Sequence, residues 1–315
     1  MTALSFALKP FVYAVIAALT LALATQSDAR VIFFQEAFED ALLAERGWYD
    51  NTKLSLASPG HAPSSKRAVE FKFLKGGKMP LSGGAIRKRF NPSESVYVSF
   101  WVKYGANWEG SNKPYHPHEF LILTNLDGDW TGPAYTHLTA YIEQNEGMPL
   151  LGLQDGRNID PTRLKQDLRG ITENRATSGC NGAPPEERAS TISCYRVGKD
   201  DWNGRDWRAG GAPNSHGGKV YFQDTPGPFY KGDWHLVEAY FKLNSIIAGK
   251  AVSDGVLRYW FDGLLVIEHN RVALRTGAHP QMKFNQFLIG PWIGDGSPVE
   301  QTFWVDDLTV ADERP

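Results

Sequence analysis

Apolar and polar residues alternate with period two in segment after segment from Val31 to the C-terminal end of the chain. Successive side chains of a strand point to opposite faces, so this alternation marks half-buried strands, and helical periodicity is rare beside it. Val69–Lys75, Gly84–Phe90, Val96–Tyr104, Glu119–Thr124, Thr136–Glu143, Trp234–Asn244, Gly255–Phe261, Leu264–His269, Phe284–Ile289 and Thr302–Val310 read as strands. Gly, Pro, Asn and Asp punctuate them, and Phe261-Asp262-Gly263-Leu264 carries the Asp-Gly pair of a two-residue hairpin turn. About ten strands at this spacing predict an all-β sandwich or barrel. An α/β fold would need amphipathic helices between the strands, and none recur. Hydrophobic residues make up 42% of the chain, enough for one core, so residues 30–315 are expected to form a single domain. Residues 144–233 depart from the pattern: rich in Gly, Pro, Asn and Arg, they predict a long loop insertion, either a functional wall or a surface elaboration.

The N-terminus has the form of a secretory signal peptide over residues 1–29. Lys9 precedes the apolar stretch Phe11–Ala24, and small residues allow cleavage after Ala24 or Ala29. The stretch is shorter than the roughly 20 residues of a spanning helix, so the expectation is a secreted or periplasmic protein with no membrane association after cleavage. Cys180 and Cys194 are the two cysteines, and in an exported chain such a pair is most simply a disulfide. A net charge of -2 without a basic cluster argues against nucleic acid as a partner.

Parity sorts each strand into two faces. Ile86 and Phe90 oppose Arg87 and Arg89; Val96, Val98, Phe100 and Val102 oppose Tyr97, Ser99, Trp101 and Lys103. Leu138, Ala140 and Ile142 oppose Tyr135, His137, Thr139, Tyr141 and Glu143, while Val237, Ala239, Phe241 and Leu243 oppose Trp234, Glu238, Tyr240, Lys242 and Asn244. A merely solvated face would favour Lys, Glu, Thr and Ser. Rings interleaved with cations suit a glycan instead, because rings stack on sugars and Arg or Lys pairs with carboxylates. The expected partner is therefore an acidic polysaccharide, with Tyr97, Trp101, Lys103, Tyr135, Glu143, Glu238 and Lys242 as substrate-binding candidates.

Several segments also carry a family likeness: Phe73-Leu74-Lys75-Gly76-Gly77-Lys78-Met79-Pro80, Tyr97 to Tyr104, Trp234-His235, Tyr259-Trp260-Phe261-Asp262-Gly263 and Phe303 to Val310. Together they resemble the concanavalin A-like jelly rolls that include the heparin lyase I, glucuronan lyase and alginate lyase families. The resemblance implies a jelly-roll β-sandwich of two antiparallel sheets. It also implies a polysaccharide lyase that cleaves a uronic-acid polymer by β-elimination and needs no cofactor for catalysis. In such lyases a cation or amide neutralises the uronate, a His or Tyr removes the C5 proton, and a Tyr protonates the leaving oxygen. On this sequence Arg87 or Arg89 would neutralise, His118 or His137 would be the base, and Tyr141 or Tyr240 the acid. One departure stands out: the penultimate strand of those families tends to end Gly-x-Tyr, whereas this chain has Gly290-Pro291-Trp292, and an indole can stack but cannot transfer a proton.

Two further functions compete with the lyase: a non-catalytic, lectin-like carbohydrate-binding module using the same face, and a glycoside hydrolase built on Glu143 and Glu238. In jelly rolls the first and last strands often run side by side. Glu36, Glu39 or Asp40 would then lie near Asp306 or Asp307, a donor set for a structural calcium.

Overall fold

The computed structural model describes residues 30–58, 60–62, 65–112, 117–124, 138–154, 206–208, 220–272, 274–275, 277 and 279–315. The expectations for the signal peptide, Tyr135, His137 and the Cys180–Cys194 pair fall outside these residues.

Alternation becomes strand wherever the chain is described. In chain order the strands are β1 (Ile32–Glu36), β2 (Trp48–Asp50), β3 (Ser55–Ala57), β4 (Ala68–Phe73), β5 (Ile86–Ser93) and β6 (Ser95–Tyr104). They continue with β7 (His118–Leu123), β8 (Thr139–Asn145), β9 (Met148–Gln154), β10 (Asp206–Arg208), β11 (His235–Lys242), β12 (Ile246–Ile247) and β13 (Lys250–Ala251). The last four are β14 (Gly255–Phe261), β15 (Leu264–Val272), β16 (Phe284–Trp292) and β17 (Gln301–Ala311). Sheet one has the order β15-β14-β11-β6-β17-β4-β3, with β1 also paired to β17; sheet two has the order β10-β9-β8-β7-β16-β5-β2. Every pairing in both sheets is antiparallel. The fold is thus the expected all-β sandwich.

The apolar parity sets face each other as expected. Val98, Phe100 and Val102 of β6, Val237 and Phe241 of β11, and Phe303 of β17 meet Phe120, Ile122, Ile142, Phe287 and Ile289 of sheet two in one core. The Phe100 and Phe120 rings are 4.0 Å apart between centroids and bridge the layers. Asp262 and Gly263 have φ of 48° and 78°, the left-handed pair of a tight hairpin turn, as their sequence predicts. Glu146 and Gly147, at 51° and 76°, make the same kind of turn between β8 and β9. That hairpin corrects the assignment of residues 144–233 to loop throughout. Met148–Gln154 is a strand of sheet two, and its alternation is hidden because Leu150 and Leu151, on opposite faces, are both buried.

β1 lies along β17, with Phe34 opposite Val310 and Glu36 opposite Leu308. β4 pairs the first half of the same β17 edge, and the handover falls at an irregularity around Asp306 and Asp307, where Asp307 has φ of 43°. Asp306 accepts hydrogen bonds there from His61 N (2.8 Å), Ser65 Oγ (2.6 Å) and Asp307 N (2.9 Å). Glu36 instead points inward and accepts from Arg46, Trp48 Nε1 and Phe38 N, while Asp40 pairs with the same Arg46. The proposed calcium donors Glu36, Asp40, Asp306 and Asp307 therefore do not gather. Arg46 neutralises the first two and His61 faces the others, and among the described residues no three His, Cys, Asp or Glu side chains group to hold a metal ion.

His235, at the start of β11, is buried with Nδ1 2.8 Å from Asp262 Oδ2 and Nε2 2.9 Å from the Tyr230 carbonyl. Burial disfavours its charge, but the bonds to Asp262 and Tyr230 outweigh it and raise the imidazole pKa. A raised native pKa makes the stabilisation complete below the unfolded value, near pH 6.5, and lost as pH rises through the higher native value. Thermal midpoints of the parent should thus exceed those of His235→Asn most at pH 5–6, with the gap narrowing toward pH 9. A gap independent of pH would contradict the paired, protonated imidazole.

Candidate functional site

The structure divides the candidate residues between two faces on opposite sides of the sandwich, where the sequence reading merged them into one. β6 and β11 carry Tyr97, Trp101, Lys103, Glu238, Tyr240 and Lys242 on the outside of sheet one. β5, β7 and β8 carry Arg87, Arg89, His118, Tyr141 and Glu143 on the outside of sheet two. Glu143 and Glu238 stand on different sheets and do not form a carboxylate pair, which removes the glycoside hydrolase reading.

On sheet one, the rings and charges satisfy one another. Tyr97 donates to Glu238 at 2.7 Å, and Arg314 grips the same carboxylate through two bonds of 2.8 and 2.9 Å while lying over the Trp260 ring. Burial, together with the bond to Glu238, pushes the Tyr97 phenol well above its ordinary pKa; burial raises Tyr240 too. Trp101 stacks on His61 at 4.6 Å, and Lys103 sits over Trp304. These are cross-strand contacts of a well-packed sheet surface rather than an open platform.

Sheet two has the more reactive arrangement. His118 opens β7 with its ring 5.1 Å from that of Tyr141 and its Nδ1 2.9 Å from Glu143 Oε1. A carboxylate there accepts the Nδ1 proton and so leaves Nε2 as the basic nitrogen. The next residue, Glu119, turns to the interior and accepts from Tyr104 Oη at 2.8 Å. Burial, opposed by that bond and reinforced by the Glu143 charge, raises the Glu119 pKa well above the carboxylate range.

Two strands away lies a donor-rich group. Arg87 binds Asp50 Oδ2 at 2.5 Å, reaches Gln286 Oε1 at 3.4 Å and lies 4.8 Å from the Tyr49 ring centroid; Arg89 flanks the same ring. Gln286 Nε2 and Tyr49 Oη are buried and make no hydrogen bond. The register aligns Tyr141, Leu121, Leu288 and Arg87 in one row, so the two groups are three strand spacings apart, about 14 Å between Cα positions. Leu121 and Leu288 form the buried floor between them. Arg87 was expected on an open face, yet it is 2% exposed. Its guanidinium lies against Tyr49, Asp50 and Gln286, a cover that alternation alone does not reveal. Gln286, Tyr49 and Asp50 were missed. Gln286 was legible in principle: with Asn285 it is one of two amides near the start of an otherwise apolar strand.

A cleft of about 450 Å³ opens elsewhere, between the loop after β6, the β8–β9 turn and Phe222–Lys231. Its described lining includes Trp108, Glu109, Gln144, Glu146, Asp224 and Lys231, and the Lys231 ammonium is tied to Asp224 and the Trp108 carbonyl.

No family model matches the chain, and no curated protein matches it. Solved structures do. Alginate lyase vAL-1 from Chlorella virus is 15% identical with a TM-score of 0.50, covering 90% of this chain and 100% of its own. The marine alginate lyase from Aplysia kurodai is 11% identical with a TM-score of 0.51, covering 90% and 99%. The endo-β-1,4-glucuronan lyase from the fungus Trichoderma reesei is 14% identical with a TM-score of 0.41, covering 82% and 87%. At these identities the likeness is one of architecture: the chain has the jelly-roll fold that the two alginate lyases share.

Proposed function

We propose that this protein is a polysaccharide lyase that cleaves a uronic-acid polymer by β-elimination on the outer face of sheet two. The observation that carries the reading is His118, held by Glu143 against Tyr141 on the same face as Arg87 and Gln286. His118 Nε2 takes the C5 proton, the freed electron pair becomes the C4=C5 double bond, the C4–O bond breaks, and Tyr141 protonates the departing oxygen. Arg89, exposed on β5, supplies a donor for a uronate carboxylate farther along the chain, while Arg87 and Gln286 stay buried beside it. The alginate lyases that share the fold point the same way.

The purified protein, assayed on a panel of acidic polysaccharides, should generate ultraviolet absorbance from unsaturated uronate ends. Reducing ends without that absorbance would overturn the mechanism. Binding without any cleavage would favour the lectin-like module, which the indole of Trp292 also suits. The reading places the protein outside the cytoplasm, and the secreted form should have the intact mass of a chain lacking residues 1–24 or 1–29.

A further inference from the structure

While Leu121, Leu288, Arg87 and Gln286 on the sheet-two face are covered, its other end stays open at Trp292, which is 38% exposed. The pairing of β16 with β7 is irregular between Ile289 and Trp292, yet Ile289 and Ile293 both lie in the core and Trp292 between them turns outward. It is also the register partner of His118. Lys78, exposed on the loop between β4 and β5, places its Nζ 5.9 Å from the Trp292 ring centroid. That is the far edge of a cation–π contact, loose enough for the ammonium to take another partner.

The backbone fixes this pair before any ligand arrives. Ile293 N donates to the Lys78 carbonyl at 2.9 Å, Ser297 N to the Gly77 carbonyl at 2.8 Å, and Gly76 N to the Ser297 carbonyl at 2.7 Å. Gly296, with φ of 88°, lies so close that an added Cβ would sit 2.5 Å from the Gly76 carbonyl oxygen. Two loops are thereby zipped together, one presenting the ring and the other the charge. A ring beside an exposed ammonium matches the two features of a uronate unit, an apolar sugar face and a carboxylate.

We propose that Trp292 and Lys78 form a subsite for an anionic sugar unit next to His118, the indole stacking on the pyranose and Lys78 pairing with its carboxylate. The proposal rests on reading this face as glycan-binding. It gives the Trp that replaces the Tyr of the lyase families a holding role in place of a proton-transferring one.

Titration calorimetry with a uronic-acid tetrasaccharide, in a His118→Ala background, tests the subsite without turnover. Trp292→Ala should weaken binding about tenfold and Trp292→Tyr much less, since a phenol still stacks. Lys78→Gln should weaken it about threefold and flatten its salt dependence. Cellotetraose, which lacks carboxylates, should be insensitive to Lys78→Gln. Unchanged affinity in both Trp292→Ala and Lys78→Gln overturns the subsite even if the parent proves to be a lyase. Trp292-dependent binding in a parent that never cleaves would sink the lyase reading and leave the subsite standing. A parent that binds no acidic oligosaccharide overturns both.

Discussion

His118→Ala is expected to lower kcat on an acidic polysaccharide by about 10²–10⁴, the usual worth of a positioned general base. Glu143 holds the ring: its buried carboxylate accepts from Nδ1 and so fixes the tautomer. The imidazole is thereby oriented, which no water molecule entering the space would reproduce. Tyr141→Phe should show a comparable loss while retaining its packing, because it removes one hydroxyl from a ring buried against Leu121 and Leu288. Chemical rescue separates catalysis from structure: added imidazole should restore part of the His118→Ala rate and none of the Tyr141→Phe rate. A His118→Ala protein within fivefold of the parent would exclude this histidine as the base.

The second large effect is on stability. Glu36 is 4% exposed and all of its acceptor capacity is used, by two Arg46 bonds, Trp48 Nε1 and Phe38 N. Removing it orphans two buried N–H groups and strips Arg46 of its main partner. Arg46 can still reach water, since its side chain is about a third exposed, so the loss falls at the lower end of that for a broken buried pair. Glu36→Ala should cost about 3 kcal/mol and lower Tm by roughly 6–12 °C for a chain of this size. Glu36→Gln should cost less, because an amide oxygen still accepts. Denaturant unfolding that places Glu36→Ala within about 0.5 kcal/mol of the parent, an ordinary surface effect, would show that the network is incidental.

The strands were legible because burying one face of a two-layer sandwich imposes alternation, and β14 begins and ends where the pattern predicts. What alternation cannot encode is which sheet a strand joins. Tyr97 and Tyr141 have the same parity signature, yet hydrogen bonding sends β6 to sheet one and β8 to sheet two. That pairing is decided by contacts far apart in sequence, so one apparent platform became two faces. Parity failed differently at Arg87, where the outward face is covered as well. The carboxylates proposed for calcium illustrate a third limit. Acidic side chains near one another in topology are instead taken up by Arg46 and by hydrogen bonds from His61, whose proximity no local pattern announces.

The placement of β17 has a consequence for how the chain reaches its native state. This strand occupies the middle of sheet one, between β6 and β4, and also receives β1, so that residues 34 and 310 are direct partners. Four other strands of sheet one, β6, β11, β14 and β15, can associate as soon as they exist, but β1, β3 and β4 have no route into the sheet without β17. A ribosome would therefore finish most of the domain while β6 still presented a bare edge of unpaired amides and carbonyls. Such late closure over long sequence separations makes folding slow and leaves the half-built sheet open to association with other chains. Shortening the chain before Gln301 should accordingly trap an aggregation-prone intermediate, not a smaller stable domain.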